Sequence, residues 1–391
     1  AFGLVCIANF VVSGPHWLHQ NGDVNYTYLL TGLDYWSLLC SGINDQPAIT
    51  VKLWNAIVIG FIYMFRFPFT DLSLDQDVIL NSELYLNIIT LSVYLVLAFS
   101  LFRFLKFTLN GTESKVLWLF AICSFFLSSV VFNNVWVNKP EPYLVIAGLW
   151  ISTIVLKLSK NESVNSINII GAVLFSVLSK IIIAPFILPL LFLISRKQLL
   201  TKVLPYGTLS MVVIAAIWRN ELQPFVSWIT NVGSHSGAYG SGDSGFYDNL
   251  FWDNVIKSLW INKLLIPILA AGFAYSIIKS VNKTTITTLT ISYIVFFLFI
   301  LKMPASSYFI VCYVFAPVFI LLAYENIIIK PNKYAVIVTT SIFIIIRFGL
   351  YGRDIQQRKI NACTQEKPLG VQTYYTSSKE YALFSANKTQ K

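Results

Sequence analysis

The segment TVKLWNAIVIGFIYMF, Thr50 to Phe65, decides how the rest of the chain is arranged across a bilayer. It is apolar, yet it carries Lys52, Asn55 and Gly60, and its 16 residues fall short of the roughly 20 that an α-helix needs to span. Asp71, Asp75 and Asp77 follow it. If the segment crossed, this acidic stretch would be cytoplasmic and every later loop would change sides. If it lies along the interface, Arg103, Lys106, Lys115, Lys157, Lys160, Arg196, Lys197, Lys202, Lys279, Lys283, Lys330 and Lys333 all fall in short loops on one face. Basic residues gather on the cytoplasmic side of membrane proteins, so the interfacial placement is the one expected.

Working outward, the other apolar runs are Ala1–Ser13, Glu83–Phe102, Lys115–Phe132, Tyr143–Leu156, Ile167–Ser195, Val203–Trp218, Leu264–Ile278, Thr284–Leu301, Ser307–Tyr324 and Tyr334–Leu350. Of the 391 residues, 56% are hydrophobic and 12% charged, against about a quarter charged in soluble domains. This composition predicts an all-α polytopic membrane protein. Ile167–Ser195 is long for one span and carries Pro185 and Pro189, so two helices turning near Lys180 are expected. The total is then about eleven transmembrane helices in one membrane domain, residues 1–350, with a long first external loop over residues 14–82 that contains interfacial helices. Other external segments are Asn133–Glu141, the turn at Lys180, a long loop from Arg219 to Lys263, and Lys302–Ser306. Residues 351–391 read as an external C-terminal tail or the start of a soluble domain cut short. The first run is too short to span and no methionine precedes it, so a fragment or a processed chain is expected.

The net charge of +10 comes from scattered basic residues and forms no stripe, so nucleic acid is not expected as a partner. Five cysteines have no metal-like spacing. The glycosylation triplets at Asn25, Asn110, Asn161, Asn282 and Asn387 read as chance, because three of them fall in loops assigned to the cytoplasm.

Candidate chemistry concentrates in Pro15–Pro47, which holds Asp23, Asp34, Asp45, His16 and His19 in a chain poor in charge. Acidic groups just outside a membrane helix suit work on a polar substrate at the bilayer surface. Glu141, between Pro140 and Pro142, places a carboxylate at the positive end of a helix. Lys180 interrupts an apolar run, where a cation either snorkels to the surface or binds an anion. Arg219 and Lys302 are further cations at the external edge, and the three together suit a phosphate. Ser234–Gly245 is rich in Gly and Ser and lets the backbone approach a ligand closely.

The early aspartate in Asp23–Tyr28, the segment Asp45-Gln-Pro47, the interfacial run Thr50–Phe65 and Lys139-Pro140-Glu141 together resemble the GT-C superfamily of membrane glycosyltransferases. The resemblance points to the protein-mannosyltransferase-like or aminoarabinose-transferase-like branch. It covers the arrangement of nearly the whole chain through short motifs, and the first loop has neither an Asp-Glu nor a Glu-x-Asp pair. It implies transfer of a sugar from a polyprenyl-phosphate donor to a hydroxyl of a glycan, lipid or protein on the external face, with inversion. In this family layout Asp23 is the general base, with Asp34 and Asp45 next in line. Glu141 binds the acceptor, holds a divalent metal ion, or tunes Asp23. Lys180, Arg219 and Lys302 meet the donor phosphate, and His235 and Tyr239 contact the sugar or its phosphate. The rival class is a transporter or flippase, whose marks are charges and broken helices at mid-membrane.

Overall fold

The computed structural model of the chain describes residue 16 and residues 22–36, 48–126, 128–135, 138–217, 219–236, 242–247 and 249–325, with the side chains of a few of these left aside. The expected runs at Ala1–Ser13 and Tyr334–Leu350, the tail 351–391, Asp45 and Tyr239 lie outside the described residues. Among the described residues the fold is wholly helical, apart from one antiparallel bridge between His235 and Ser244. The helices of six residues or more are α1 (Gly22–Asp34), α2 (Ile49–Arg66), α3 (Leu74–Leu80), α4 (Ser82–Gly111), α5 (Lys115–Phe126), α6 (Ser129–Asn134), α7 (Pro140–Ser159), α8 (Ser166–Ser179), α9 (Ala184–Leu190), α10 (Leu204–Ile217), α11 (Arg219–Ser234), α12 (Phe251–Ile261), α13 (Leu265–Lys279), α14 (Lys283–Ile300) and α15 (Ile310–Ala323).

Helix α15 is the axis of the bundle. It is apolar on all sides, and every residue from Ile310 to Ala323 is buried, as such a helix requires. Helix α7 packs along it where Gly148 leaves room: a Cβ there would stand 2.4 Å from Cγ1 of Val314. Around this pair, Phe186 of α9 meets the rings of Tyr293, Phe296 and Phe315 at centroid distances of 5.1, 5.7 and 4.4 Å. Helix α4 shows the opposite pattern. Its outward face carries Leu91, Leu95, Phe99 and Phe102, all exposed, while Ile89, Val93, Leu97, Leu101 and Phe104 are buried inside. A helix that is apolar both inward and outward is built for hydrocarbon on its outer side.

Five stretches among the described residues are long and apolar enough to cross a membrane: Ile49–Phe69, Ser82–Gly111, Pro140–Ser159, Arg196–Ala216 and Lys283–Ile300. A sixth arises if α12 and α13, bent by 80° at their junction, form one broken span. The chain therefore has the build of a polytopic membrane protein, with five or six such stretches described where about eleven were expected. The difference has two sources. Two expected runs lie outside the described residues, and α5, α8, α9 and α15, at 12, 14, 7 and 14 residues, are short of a full span, while Ile49–Phe69 is long enough although it was not counted among the expected eleven.

Two local expectations are corrected. The decisive segment around Thr50–Phe65 does not stop at 16 residues; it runs on through a 3₁₀ turn to Phe69 and passes the length test. The stretch from Arg219 to Lys263 is not a long loop, since α11 and α12 occupy most of it. Its apolar residues recur every three or four positions between polar ones, Leu222, Val226 and Ile229 in α11 and Trp252, Ile256 and Trp260 in α12. A reading by continuous runs passes over such amphipathic helices. The break in Ile167–Ser195 falls at Lys180, whose extended backbone (φ −163°, ψ 117°) separates α8 from a 3₁₀ turn leading into α9. Pro185 lacks the amide proton that would continue the helix.

The helices share two ends. Lys160 Nζ donates to Gly111 O, Gln198 Nε2 to Val164 O, and Asn282 Nδ2 to Leu322 O and Glu325, which gathers one set of termini at a basic end. The starts of α7 and α15, the break at Lys180 and the end of α14 gather at the other.

Candidate functional site

At that second end Lys180 Nζ lies 2.7 Å from Glu141 Oε1, both residues being buried. Each is placed by local rules. Glu141 occupies the first turn of α7, between two prolines whose missing amide protons would have had no helical partner there. Lys180 is carried inward by the break between α8 and the following turn, so it does not snorkel. Its ammonium also stands 4.7 Å from the centre of the Tyr308 ring. The pair joins two residues to which the family resemblance gives different expected roles, on the acceptor side and at the donor phosphate.

The other carboxylate oxygen, Glu141 Oε2, is buried without a hydrogen-bond partner. Close by in the chain, Asn138 is buried and leaves both side-chain polar atoms unmatched. Its backbone N–H donates to Oδ1 of Asn25 at 3.0 Å, and Nδ2 of Asn25 is again unmatched. Such atoms cost about 1–3 kcal/mol each when left dry. The contact also ties the first turns of α1, which contain Asp23, to the start of α7. The side chain of Asp23 itself is not among those described. Asn25 is fully buried, which agrees with reading its glycosylation triplet as chance.

A cavity of about 330 Å³ opens beside Lys180. Its walls are apolar, among them Pro185, Leu188, Trp228, Val232, Phe299 and Ile300, and its two charged lining residues are Lys180 and Lys302. The volume lies in the range of small-molecule pockets. Lys302 donates to the carbonyls of Val232 and His235 at the C-terminal end of α11 and faces the Phe246 ring at 5.1 Å. A cation there complements the negative end of the helix. Burial pushes the Lys302 ammonium below the usual lysine range. Two of its three N–H groups are engaged by those carbonyls, leaving a third.

Arg219 does not join this group; it opens α11, exposed, and is absent from the cavity wall. His235 reaches the site through its carbonyl, while its ring Nδ1 pairs with Ser234 Oγ at 2.9 Å. Asp34 closes α1 and is half-buried. Among the described residues no three His, Cys, Asp or Glu side chains stand together as metal ligands.

The region from α1 to the start of α4 is pinned from several sides. Asn55 Nδ2 donates to Tyr28 O at 2.9 Å and Trp36 Nε1 to Ala56 O at 2.8 Å, locking α1 onto α2. Glu83 receives the backbone N–H of His16 at 2.9 Å and the hydroxyl of Tyr26. Burial, then the Glu83 carboxylate, hold the Tyr26 phenol well above its ordinary range, and burial pushes the His16 imidazole down to about 4. Arg66 grips Asp77 with two bonds of 2.7 and 2.8 Å, and Asn81 and Tyr85 complete the carboxylate's shell. The Arg66 guanidinium beside Asp77 holds its carboxyl below the usual carboxylate range.

Sequence reasoning did not single out Asn25, Asn138, Glu83 or Tyr308. Asn25 lies within a quoted motif and Asn138 directly before one, but nothing in an asparagine's neighbours tells whether its amide will be buried or wet. Compared with protein-family models, with curated proteins and with solved structures, the chain matches none.

Proposed function

We propose that the protein is a membrane glycosyltransferase of GT-C type, taking a sugar from a polyprenyl-phosphate carrier to a hydroxyl acceptor on the external face. The observation that carries this reading is the cavity: apolar walls for a prenyl chain and, for its phosphate, Lys180 and Lys302 among the lining residues, the first paired to a buried carboxylate. In the reaction the acceptor oxygen attacks the anomeric carbon as its proton passes to Asp23. The bond from that carbon to the phosphate oxygen breaks, and the phosphate leaves with the electron pair, stabilised by Lys180 and Lys302. About eleven spans, with α2 lying along the interface, belong to the same reading. Its support is that Trp54 Nε1 of α2 donates to Ser92 Oγ at 2.8 Å, in the Ser82 half of α4, and that Arg66 at the end of α2 pairs with Asp77 of α3.

A second reading, a transporter or flippase, is favoured by one feature: an ion pair buried at a broken helix, with another helix pair bent by 80°. One experiment separates the two. Protein in nanodiscs is given undecaprenyl phosphate and its glucosyl, galactosyl and mannosyl esters, with a total membrane extract as the source of acceptors. Mass spectrometry then follows release of the bare lipid phosphate. Release that depends on Asp23 supports the transferase; binding without release, with transbilayer movement of the esters in proteoliposomes, supports the transporter.

A further inference from the structure

We infer that Asn25, Asn138 and Glu141 form a subsite for the hydroxyl groups of a carbohydrate, between the first turns of α1 and the start of α7. The three are 0, 2 and 4% exposed. The Asn138 N–H meets Asn25 Oδ1 at 3.0 Å, and Glu141 stands three residues further along the same chain segment, in the first turn of α7. Between them they bury four polar atoms without partners, namely Asn25 Nδ2, Asn138 Nδ2, Asn138 Oδ1 and Glu141 Oε2. Buried polar groups in folded proteins are nearly always matched, by protein, water or ligand.

The composition of the set selects the ligand. Two amide NH₂ groups donate, and an amide oxygen and a carboxylate oxygen accept. A metal ion would meet the Asn25 NH₂, whose orientation is fixed because Oδ1 takes the Asn138 N–H, and a phosphate would meet the Glu141 carboxylate. A run of hydroxyls, each both donor and acceptor, matches both kinds of atom. The subsite also joins the lipid-phosphate cavity through one side chain, since Glu141 Oε1 holds Lys180 of the cavity wall while Oε2 belongs to the unmatched set. Sugar and phosphate of one donor would thus be read on the two oxygens of a single carboxylate. The inference deepens the proposed function and rests on it for the identity of the donor.

The test uses Asn138→Leu in the full chain. The Asn138 side chain makes no hydrogen bond to lose, and its structural contact runs through the backbone, so the variant should fold and unfold at the same or a higher temperature. Wild-type protein in nanodiscs should bind at least one of the glucosyl, galactosyl or mannosyl esters of undecaprenyl phosphate ten-fold or more tighter than the bare phosphate. Asn138→Leu should lose that preference and keep its affinity for the bare phosphate. A preference that survives in Asn138→Leu, whatever the variant's stability, overturns the subsite, and so does wild-type protein that ignores the sugar, as it would were these atoms matched by water only. If the bare phosphate does not bind at all, the lipid reading fails, and methyl glycosides of the three sugars decide the subsite by saturation-transfer NMR. A signal abolished by Asn138→Leu upholds it; no signal removes it.

Discussion

Removing Lys180 leaves Glu141 buried with neither carboxylate oxygen matched, the largest perturbation a single side chain can make at this site. Both partners are nearly inaccessible, with side chains 10 and 6% exposed, so water cannot take over the lost contact without local opening. Breaking a buried ion pair from one side costs about 3–5 kcal/mol, whereas replacing both partners by apolar groups of similar volume is close to neutral. Lys180→Met and Glu141→Leu should therefore each destabilise, with Lys180→Met toward the upper end because Glu141 is left charged and Tyr308 loses its cation as well. The double variant Lys180→Met, Glu141→Leu should recover much of the loss, giving a coupling of about 2 kcal/mol or more. Equilibrium unfolding in SDS–detergent mixtures, followed by tryptophan fluorescence, measures all three. Losses under about 1 kcal/mol that simply add would refute the reasoning, since two groups in contact in a dry interior cannot behave independently. In the same samples Lys180→Met should weaken undecaprenyl phosphate binding, because one of the cavity's two cations is gone.

Asp23→Asn keeps the shape of the side chain and removes the base, so turnover should fall about 10²–10⁴-fold while donor lipid still binds; full activity would end the base assignment and turn attention to Asp34 and Asp45. Burial holds His16 near 4, below the value of about 6.5 expected in the unfolded chain, so it contributes stability above pH 6.5 that is lost as pH falls toward 4, worth about 3 kcal/mol at most. His16→Gln should flatten that stretch of the pH–stability curve, and an unchanged slope would locate the effect elsewhere. Asp77→Ala frees Arg66, itself a third exposed, and should cost about 2–3 kcal/mol by thermal unfolding; in the wild type, where the carboxyl is held low, this stabilisation is complete above about pH 4 and disappears as pH drops through the folded value. For topology, single cysteines in place of the exposed residues Asp71 and Ser244 should react with an impermeant thiol reagent from outside, and one at exposed Ser163 should not. Asp71 is preferred to Ser73, whose hydroxyl caps α3. Protection at 71 with labelling at 163 would reverse the assigned sides.

Local properties are legible in the order of the amino acids. The apolar runs predict helices, and nearly all the described runs are helices within a few residues of the expected limits. A lysine followed by β-branched residues and Pro185 marks the break at Lys180, because a helix stops where its own backbone cannot continue. The pair of prolines around Glu141 likewise announces a helix start. Each depends on residues within one or two turns of each other, which the chain states directly. The amphipathic helices α11 and α12 are local too, but their signal is a period of three to four positions and not a continuous run.

What the tertiary structure alone decided is which distant groups meet. Glu141 and Lys180 are 39 residues apart, Arg66 and Asp77 are 11 apart, and the Lys302 ammonium reaches a carbonyl 70 residues away. No motif encodes those encounters; they follow from α7 closing on α15 at Gly148 and from α8 breaking at the level where α7 begins. Packing also excluded Arg219 from the cavity that holds Lys180 and Lys302, although all three look alike as cations at the edge of apolar runs. The burial of Asn25 and Asn138 with their amides unmatched is a property of the assembled interior, since a polar side chain acquires that condition only when helices from separate parts of the chain exclude water around it.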